Sequence, residues 1–110
     1  MNTRQFSSAQ EHRIAKMFDG KVVANSGATR FNKGDVLVDK ILVECKTSTK
    51  PKDSFSIKKE WLEKNKEEAF SLGLDYSILA IDFGSEDDYF VIDKNLAKIL
   101  IDTLKESKWV

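Results

Sequence analysis

The sequence predicts an α/β domain with a mixed central sheet flanked by helices. Its 110 residues are about the length of one domain, so residues 1–110 are expected to fold as a single unit. The composition, 41% apolar and 33% charged, is that of an ordinary globular protein. Helix-type and strand-type segments follow each other in the order α-β-β-β-α-β and then β-α, which is typical of one sheet with helices on its faces.

The first helix is predicted by a capping-box pattern. Ser8 is followed three residues later by Glu11, and this pair marks the start of a helix over residues 8–18. Residues 21–25 (KVVAN) are rich in β-branched side chains and predict a short strand. Residues 26–34 (SGATRFNKG) have a glycine near each end and predict a loop.

The segment GDVLVDKILVECK predicts a β-hairpin. Two apolar runs lie on either side of Asp39 and Lys40, and a two-residue turn at this dipeptide pairs Val38 with Ile41. Asp-Lys is a poorer type I′ pair than Asn-Gly, and a three-residue loop would shift the pairing by one residue. The predicted pairing therefore depends on the length of the turn.

With the two-residue turn, Asp35 lies directly opposite Glu44 on the same face of the sheet, with Cβ atoms ~5 Å apart. Lys46 follows Glu44 by two residues and shares that face because side chains alternate along a strand. Cys45 points to the other face, and we expect it in the core. The hairpin therefore predicts two carboxylates and one ammonium group on one face.

The second half of the chain supplies the remaining elements. A polar loop over residues 47–54 contains the one proline of the sequence. After it we predict a helix over residues 56–72 ended by Gly73, strands over residues 76–83 and 88–92, and a helix over residues 94–106 capped by Asp93.

The carboxylate pair of the hairpin points to metal chemistry. Asp35 and Glu44 repel each other when directly opposed, and a divalent cation relieves that repulsion. Oxygen ligands near open water suit Mg²⁺ or Mn²⁺. Lys46 beside the pair can steady a metal-bound water and offset charge on a phosphate, as phosphodiester hydrolysis requires. The alternative is that both carboxylates lie in water at strand ends, with Lys46 as a surface ion-pair partner.

The order of these residues resembles that of the PD-(D/E)xK nuclease superfamily. Asp35 stands at the position of the motif aspartate, and Glu44-Cys45-Lys46 form the E-x-K motif. Within that superfamily the chain is most similar to archaeal-type Holliday-junction resolvases and their phage relatives, which also carry a helix glutamate, here Glu11, and a Ser-Gly loop, here residues 26–27. The resemblance spans residues 8–83.

The chain departs from the family pattern at two positions. No proline precedes the Gly34-Asp35 dipeptide, and His12 stands where those resolvases often carry an arginine after the helix glutamate. These departures put the specificity for junctions in question more than the nuclease chemistry.

The resemblance implies a Mg²⁺-dependent endodeoxyribonuclease in which Mn²⁺ can substitute for Mg²⁺. Its metal ligands would be Asp35, Glu44, the backbone carbonyl of Cys45 and Glu11, and Lys46 would position the attacking water. Glu11 has a structural alternative, because it is also the N3 residue of the capping box.

DNA, branched or duplex, is the partner that the resemblance implies. Residues 1–60 carry 12 Lys and Arg against 7 Asp and Glu, whereas residues 61–110 carry 6 against 11, so one basic face can exist on a chain of zero net charge. Phosphate contacts are expected from the residues Ser26, Arg30, Lys33, Lys50 and Lys58. Ser26 and Arg30 can equally belong to a polar loop, and Lys58 can extend past the core.

The wide apolar face of the last helix is a candidate homodimer interface or a core-facing surface.

Other classes of protein are disfavoured. No apolar run is long enough to cross a membrane, and the first residues are too polar for a signal peptide. A single cysteine indicates a reducing setting, so we expect a cytoplasmic protein, in the host cytoplasm if a phage encodes it. The second functional hypothesis is a non-catalytic nucleic-acid-binding or protein-interaction module that retains the nuclease fold.

Overall fold

The structure is a computed structural model that describes the backbone of residues 3–23 and 35–107, and side chains from residue 8 onward within those ranges. The predicted order of elements is confirmed. The elements are α1 (Thr3–Phe18), β1 (Lys21–Val22), β2 (Asp35–Val38), β3 (Ile41–Thr47), α2 (Lys59–Ser71), β4 (Tyr76–Asp82), β5 (Asp88–Val91) and α3 (Lys94–Glu106).

The five strands form one mixed sheet in the order β1-β2-β3-β4-β5. Neighbouring strands are antiparallel except β3 and β4, which are parallel. A parallel pair needs a long crossover, and α2 supplies it between these two strands. The α/β class with a mixed sheet is therefore confirmed.

The main core lies between α1 and one face of the sheet. Ile14 of α1 packs with Val36, Val43 and Ala80, each from a different strand and each at most 2% exposed. Cys45 packs at the edge of this cluster, as its predicted orientation requires. These residues place every second side chain of β2, β3 and β4 on the α1 face of the sheet.

The other face of the sheet is covered by α2. Leu42 and Leu79 are at most 1% exposed and alternate with the α1-facing residues of β3 and β4. Asn65 of α2 is buried, and its amide Nδ2 donates a hydrogen bond to the carbonyl oxygen of Ile78 at 3.2 Å. The predicted site residues Glu44 and Lys46 lie on this face, because they alternate with Val43 and Cys45.

The predicted start of α1 is wrong. The helix begins at Thr3 rather than Ser8, so Ser8 lies within it and cannot act as the N-cap. Instead, the Ser8 hydroxyl lies 3.4 Å from Nδ1 of His12, one turn later. A capping-box pattern is local and also occurs inside helices, so residues upstream decide where the helix starts. This result removes the capping role proposed for Glu11.

The start of α2 is also later than predicted. Lys58 has an extended backbone, with φ −86° and ψ 129°, so the helix begins at Lys59 and leaves Ile57 outside it. The predicted end is confirmed, because Gly73 has φ 74° and the next amide, of Leu74, donates to the carbonyl of Ala69 at 2.9 Å. This arrangement is a Schellman motif, in which glycine tolerates the left-handed conformation.

The last helix occupies the predicted residues. Asp93 caps it, since its Oδ1 accepts a hydrogen bond from the amide of Leu96 at 2.9 Å. Leu96 is the one buried residue of α3. The apolar face predicted for this helix is otherwise open, with four side chains 41–49% exposed: Ile99, Leu100, Ile101 and Leu104. Within the described ranges, no helix has the length and apolar character to cross a membrane.

Candidate active site

The hairpin register brings the two predicted carboxylates together. Val38 pairs with Ile41, and Asp35 pairs with Glu44, as the two-residue turn predicted. Type I′ requires positive φ at both turn residues, whereas here Asp39 has φ 50° and Lys40 does not have a positive φ. The Asp-Lys sequence therefore closes the hairpin through a turn that tolerates a lysine at its second position.

The Asp35 and Glu44 side chains are both shielded from water, Asp35 more than Glu44. Asp35 is 1% exposed, and Glu44 is partly buried. Burial raises the pKa of the Glu44 carboxyl above its ordinary value, and the positive charge of Lys46 opposes part of that rise. The alternative of two carboxylates at solvated strand ends does not describe Asp35, because its side chain is enclosed.

Lys46 is held at the side of Glu44. Its Nζ lies 3.4 Å from Oε1 of Glu44 and 4.5 Å from the ring centroid of Trp61 in α2. Trp61 lies within the predicted second helix, and no role at the site was predicted for it. The Lys46–Trp61 contact joins a strand to a helix 15 residues later and depends on how α2 crosses the sheet. No local sequence pattern predicts it.

Glu11 approaches the site from α1. It is 7% exposed and lies one turn before Ile14 and Ala15, on the sheet-facing side of the helix. Burial raises the pKa of the Cys45 thiol to about 12, and the negative charges of Glu11 and Asp35 add to that rise. Both carboxyls therefore contribute to the electrostatic environment of Cys45.

The carboxylates do not form a three-ligand cluster. Among residues 8–23 and 35–107, no three His, Cys, Asp or Glu side chains gather in an arrangement that could hold a metal ion. The strand register and the Lys46–Glu44 ion pair thus bring Asp35, Glu44 and Lys46 together. Glu11 lies on the α1 side of the sheet and is not part of a common ligand group. Mg²⁺ is often bound by only one or two carboxylates plus waters and substrate phosphates, so the Asp35–Glu44 pair fits this ion.

The predicted phosphate contacts are divided between two parts of the chain. Ser26, Arg30 and Lys33 lie outside the described residues. Lys50 is exposed in the loop that follows β3, and Lys52 in the same loop donates its amide to the carbonyl of Phe83 at 2.8 Å. This bond fixes the loop at the end of the sheet where Lys46 lies.

Lys58 precedes the first turn of α2, where it is exposed. Its Nζ lies 5.8 Å from the centroid of the Trp61 ring, so it shares this ring with Lys46. Lys58 therefore extends over an aromatic surface, in agreement with the alternative that its side chain passes along the core.

A second charged cluster on the α1 face was missed by the sequence analysis. Arg13 donates to both carboxylate oxygens of Asp88, at 2.6 and 2.8 Å, and to Asp82 at 3.1 Å. Asp82 also accepts hydrogen bonds from the amides of Gly84 and Asp87, at 2.8 and 2.9 Å. Arg13 lies one turn after Gln10 on the sheet-facing side of α1, but its partners lie at least 69 residues away.

Comparison of the chain with protein-family models, with curated proteins and with solved structures finds no match. The class of protein must therefore be argued from the side chains of this site.

Proposed function

We propose that this chain is a metal-dependent endonuclease that hydrolyses DNA phosphodiester bonds. One observation carries the proposal: Asp35 and Glu44 are directly opposed on neighbouring strands, and Lys46 shares their face of the sheet. Two like charges held together in the fold are unfavourable without a cation. The resemblance of Asp35 and Glu44-Cys45-Lys46 to the PD-(D/E)xK motif supports the same function.

Each residue of this set has a defined role in the proposed reaction. Asp35, Glu44 and the backbone carbonyl of Cys45 would hold Mg²⁺, or Mn²⁺ in its place. The bound ion would polarise the phosphate and lower the pKa of a water molecule. Lys46 would orient that water and offset the negative charge that develops on the phosphate. Glu11, which is buried on the sheet-facing side of α1, would orient the metal-binding end of β3 or supply a further oxygen ligand.

The proposed substrate is branched DNA of the Holliday-junction kind, with duplex DNA as the simpler alternative. Lys50 is exposed at the active-site end of the sheet and would contact a phosphate there, together with the predicted contacts of Ser26, Arg30, Lys33 and Lys58. Cutting two strands requires two active sites, so a homodimer is part of the proposal.

A second function is favoured by one feature of α3. Its four exposed apolar side chains are what an interaction module presents to a partner. Under this alternative the nuclease fold is retained without catalysis, and the chain binds nucleic acid or protein only.

The experiment that separates these functions is a cleavage assay. The protein is incubated with Mg²⁺ and a panel of linear, nicked, flapped and four-way DNA, with EDTA as the metal-free control. We expect Mg²⁺-dependent cutting that is fastest on one branched substrate and lost in Lys46→Met, whereas Lys59→Met, an exposed lysine in α2, retains it. Binding of the panel without cutting in Mg²⁺ and in Mn²⁺ would favour the interaction module.

A further inference from the structure

The Lys46 ammonium group has two partners of different chemistry. On one side is the carboxylate of Glu44, with Oε1 at 3.4 Å, and on the other is the ring of Trp61, with its centroid at 4.5 Å. A lysine side chain has several rotatable bonds, and holding it in one place opposes its conformational entropy. Two contacts from different elements, β3 and α2, restrict it more than either contact alone.

Trp61 is placed to make this contact by the start of α2. It is the third residue of the helix, half-buried, and its amide donates to the carbonyl of Lys58 at 3.0 Å. The charges of Lys64 and Glu68, further along the same helix, also act on the Glu44 carboxyl. The contact of α2 with Lys46 is therefore made from its first turn, by Trp61.

The two partners respond differently to a bound cation. A divalent ion on Glu44 competes with Lys46 for the same carboxylate, so metal binding weakens that ion pair. The face of a tryptophan ring attracts an ammonium group through its quadrupole and is not a ligand for Mg²⁺. The contact with Trp61 would therefore remain when a metal ion occupied Glu44.

We propose that Trp61 is a positioning residue that holds Lys46 beside the Asp35–Glu44 pair while a metal ion occupies Glu44. The catalytic consequence rests on the proposed nuclease function, whereas the contact between Lys46 and Trp61 does not. Trp61 acts on catalysis through Lys46, so its loss lowers kcat and leaves the half-saturating Mn²⁺ concentration nearly unchanged. Any change in the KM for DNA would come from Lys58, which shares the same ring.

The activity test compares Trp61→Phe with Trp61→Leu. Phenylalanine keeps a weaker aromatic face, whereas leucine keeps apolar bulk without one. We expect kcat to fall roughly threefold in Trp61→Phe and roughly thirtyfold in Trp61→Leu, which is the range that a cation–π contact supports. A kcat of Trp61→Leu equal to that of the wild-type protein would overturn the positioning role.

A second measurement tests the contact without using activity. The chain has two tryptophans, so Trp109→Phe leaves Trp61 as the single one, and growth with mono-, di- and trifluorotryptophan then weakens its ring face in steps while keeping its shape. The readout is the rate at which acetic anhydride labels Lys46, followed by mass spectrometry in Mn²⁺. Lys59, which is 88% exposed, serves as the internal control lysine.

We expect the labelling rate of Lys46 to rise with each fluorine and by severalfold in Trp61→Leu, while that of Lys59 stays constant. An unchanged rate at Lys46 throughout the fluorinated series would overturn the proposal, even if Trp61→Leu failed to fold. Failure of the proposed nuclease function is a separate result, because it appears as the absence of cleavage by the wild-type protein. The labelling rates still test the Lys46–Trp61 contact in that case.

Discussion

The two faces of the sheet carry charged clusters of opposite character. On the α1 face, Arg13 is forked onto Asp88 and also reaches Asp82, and backbone amides complete the hydrogen bonds of Asp82. On the α2 face, Asp35 and Glu44 are directly opposed in the strand register. The neighbouring Lys46 contacts both the Glu44 carboxylate and an aromatic ring of α2. The first cluster pairs each carboxylate with Arg13, whereas the second sets two carboxylate residues opposite each other in the hairpin register, with Lys46 beside Glu44.

This difference separates a structural ion network from a candidate catalytic one. The hydrogen bond to Asp88 raises the pKa of Arg13 further above its ordinary value, so the guanidinium keeps its charge at every accessible pH. Burial instead raises the pKa of Glu44, which means that the fold disfavours the charge of this carboxylate. A cation would reverse that preference, so we expect metal ions to bind and stabilise the α2-face cluster. We expect them to have no effect on the α1-face cluster.

The largest expected effect is on cleavage. Glu44→Gln and Lys46→Met should each reduce cleavage by roughly a thousandfold, because each removes a group that acts on the reacting phosphate. Asp88→Asn changes only the α1-face cluster. At temperatures below its melting temperature, its cleavage rate should be within a few fold of the wild-type rate. Rates are measured on the best substrate of the DNA panel, and circular dichroism checks the fold. Wild-type cleavage in Lys46→Met would contradict the assigned mechanism.

The α2-face cluster was predictable in part because its main pair is local. Asp35 and Glu44 are joined by a short hairpin, so the position of the turn alone fixes their register. The Lys46–Trp61 contact also depends on the path of α2 across the sheet, and the Arg13 contacts depend on the docking of α1 on β4 and β5. Such packing of distant segments has no short sequence pattern, which is why both contacts were missed.

The order of the elements was predictable for a related reason. The periodicity of apolar residues and the capping residues Asp93 and Gly73 act over a few positions, and they fixed α3 and the end of α2. The start of α1 was wrong because a capping-box pattern at Ser8 occurs inside a helix that begins at Thr3.

The second expected effect is on stability and belongs to the α1 face. Asp88→Ala removes the main partner of the partly buried Arg13 guanidinium, whose side chain is 21% exposed, and should lower the free energy of unfolding by about 3 kcal/mol. The matched control is Asp102→Ala, which breaks the exposed Lys98–Asp102 pair of α3 and should lower it by less than about 0.5 kcal/mol. Urea unfolding measures both. Equal losses in the two variants would mean that the Arg13 network adds nothing beyond a surface ion pair.

The third expected effect is stabilisation by metal on the α2 face. Binding to the folded state alone should stabilise the protein by about 2.7 kcal/mol when free Mn²⁺ is 100 times its dissociation constant. The melting temperature should therefore rise between EDTA and saturating Mn²⁺ in the wild-type protein and in Asp88→Asn, but not in Glu44→Gln. If Glu44→Gln gains as much as the wild-type protein, the ion binds elsewhere and the Asp35–Glu44 pair is not its site.

The smallest expected effect is a pH dependence of the wild-type protein in EDTA. The folded-state pKa of Glu44 is raised, so the folded chain holds a proton on this carboxyl that the unfolded chain releases as pH rises above about 4.5. Its contribution to stability is present below that value and lost as pH rises through the folded-state pKa. Glu44→Gln cannot lose this contribution, so its advantage in melting temperature over the wild-type protein should grow from pH 4 to pH 7 and disappear when Mn²⁺ is added to both. Melting curves of both proteins from pH 4 to pH 7 test this prediction. If the melting-temperature advantage of Glu44→Gln shrinks with rising pH, the Lys46 ion pair, rather than burial, dominates the environment of Glu44.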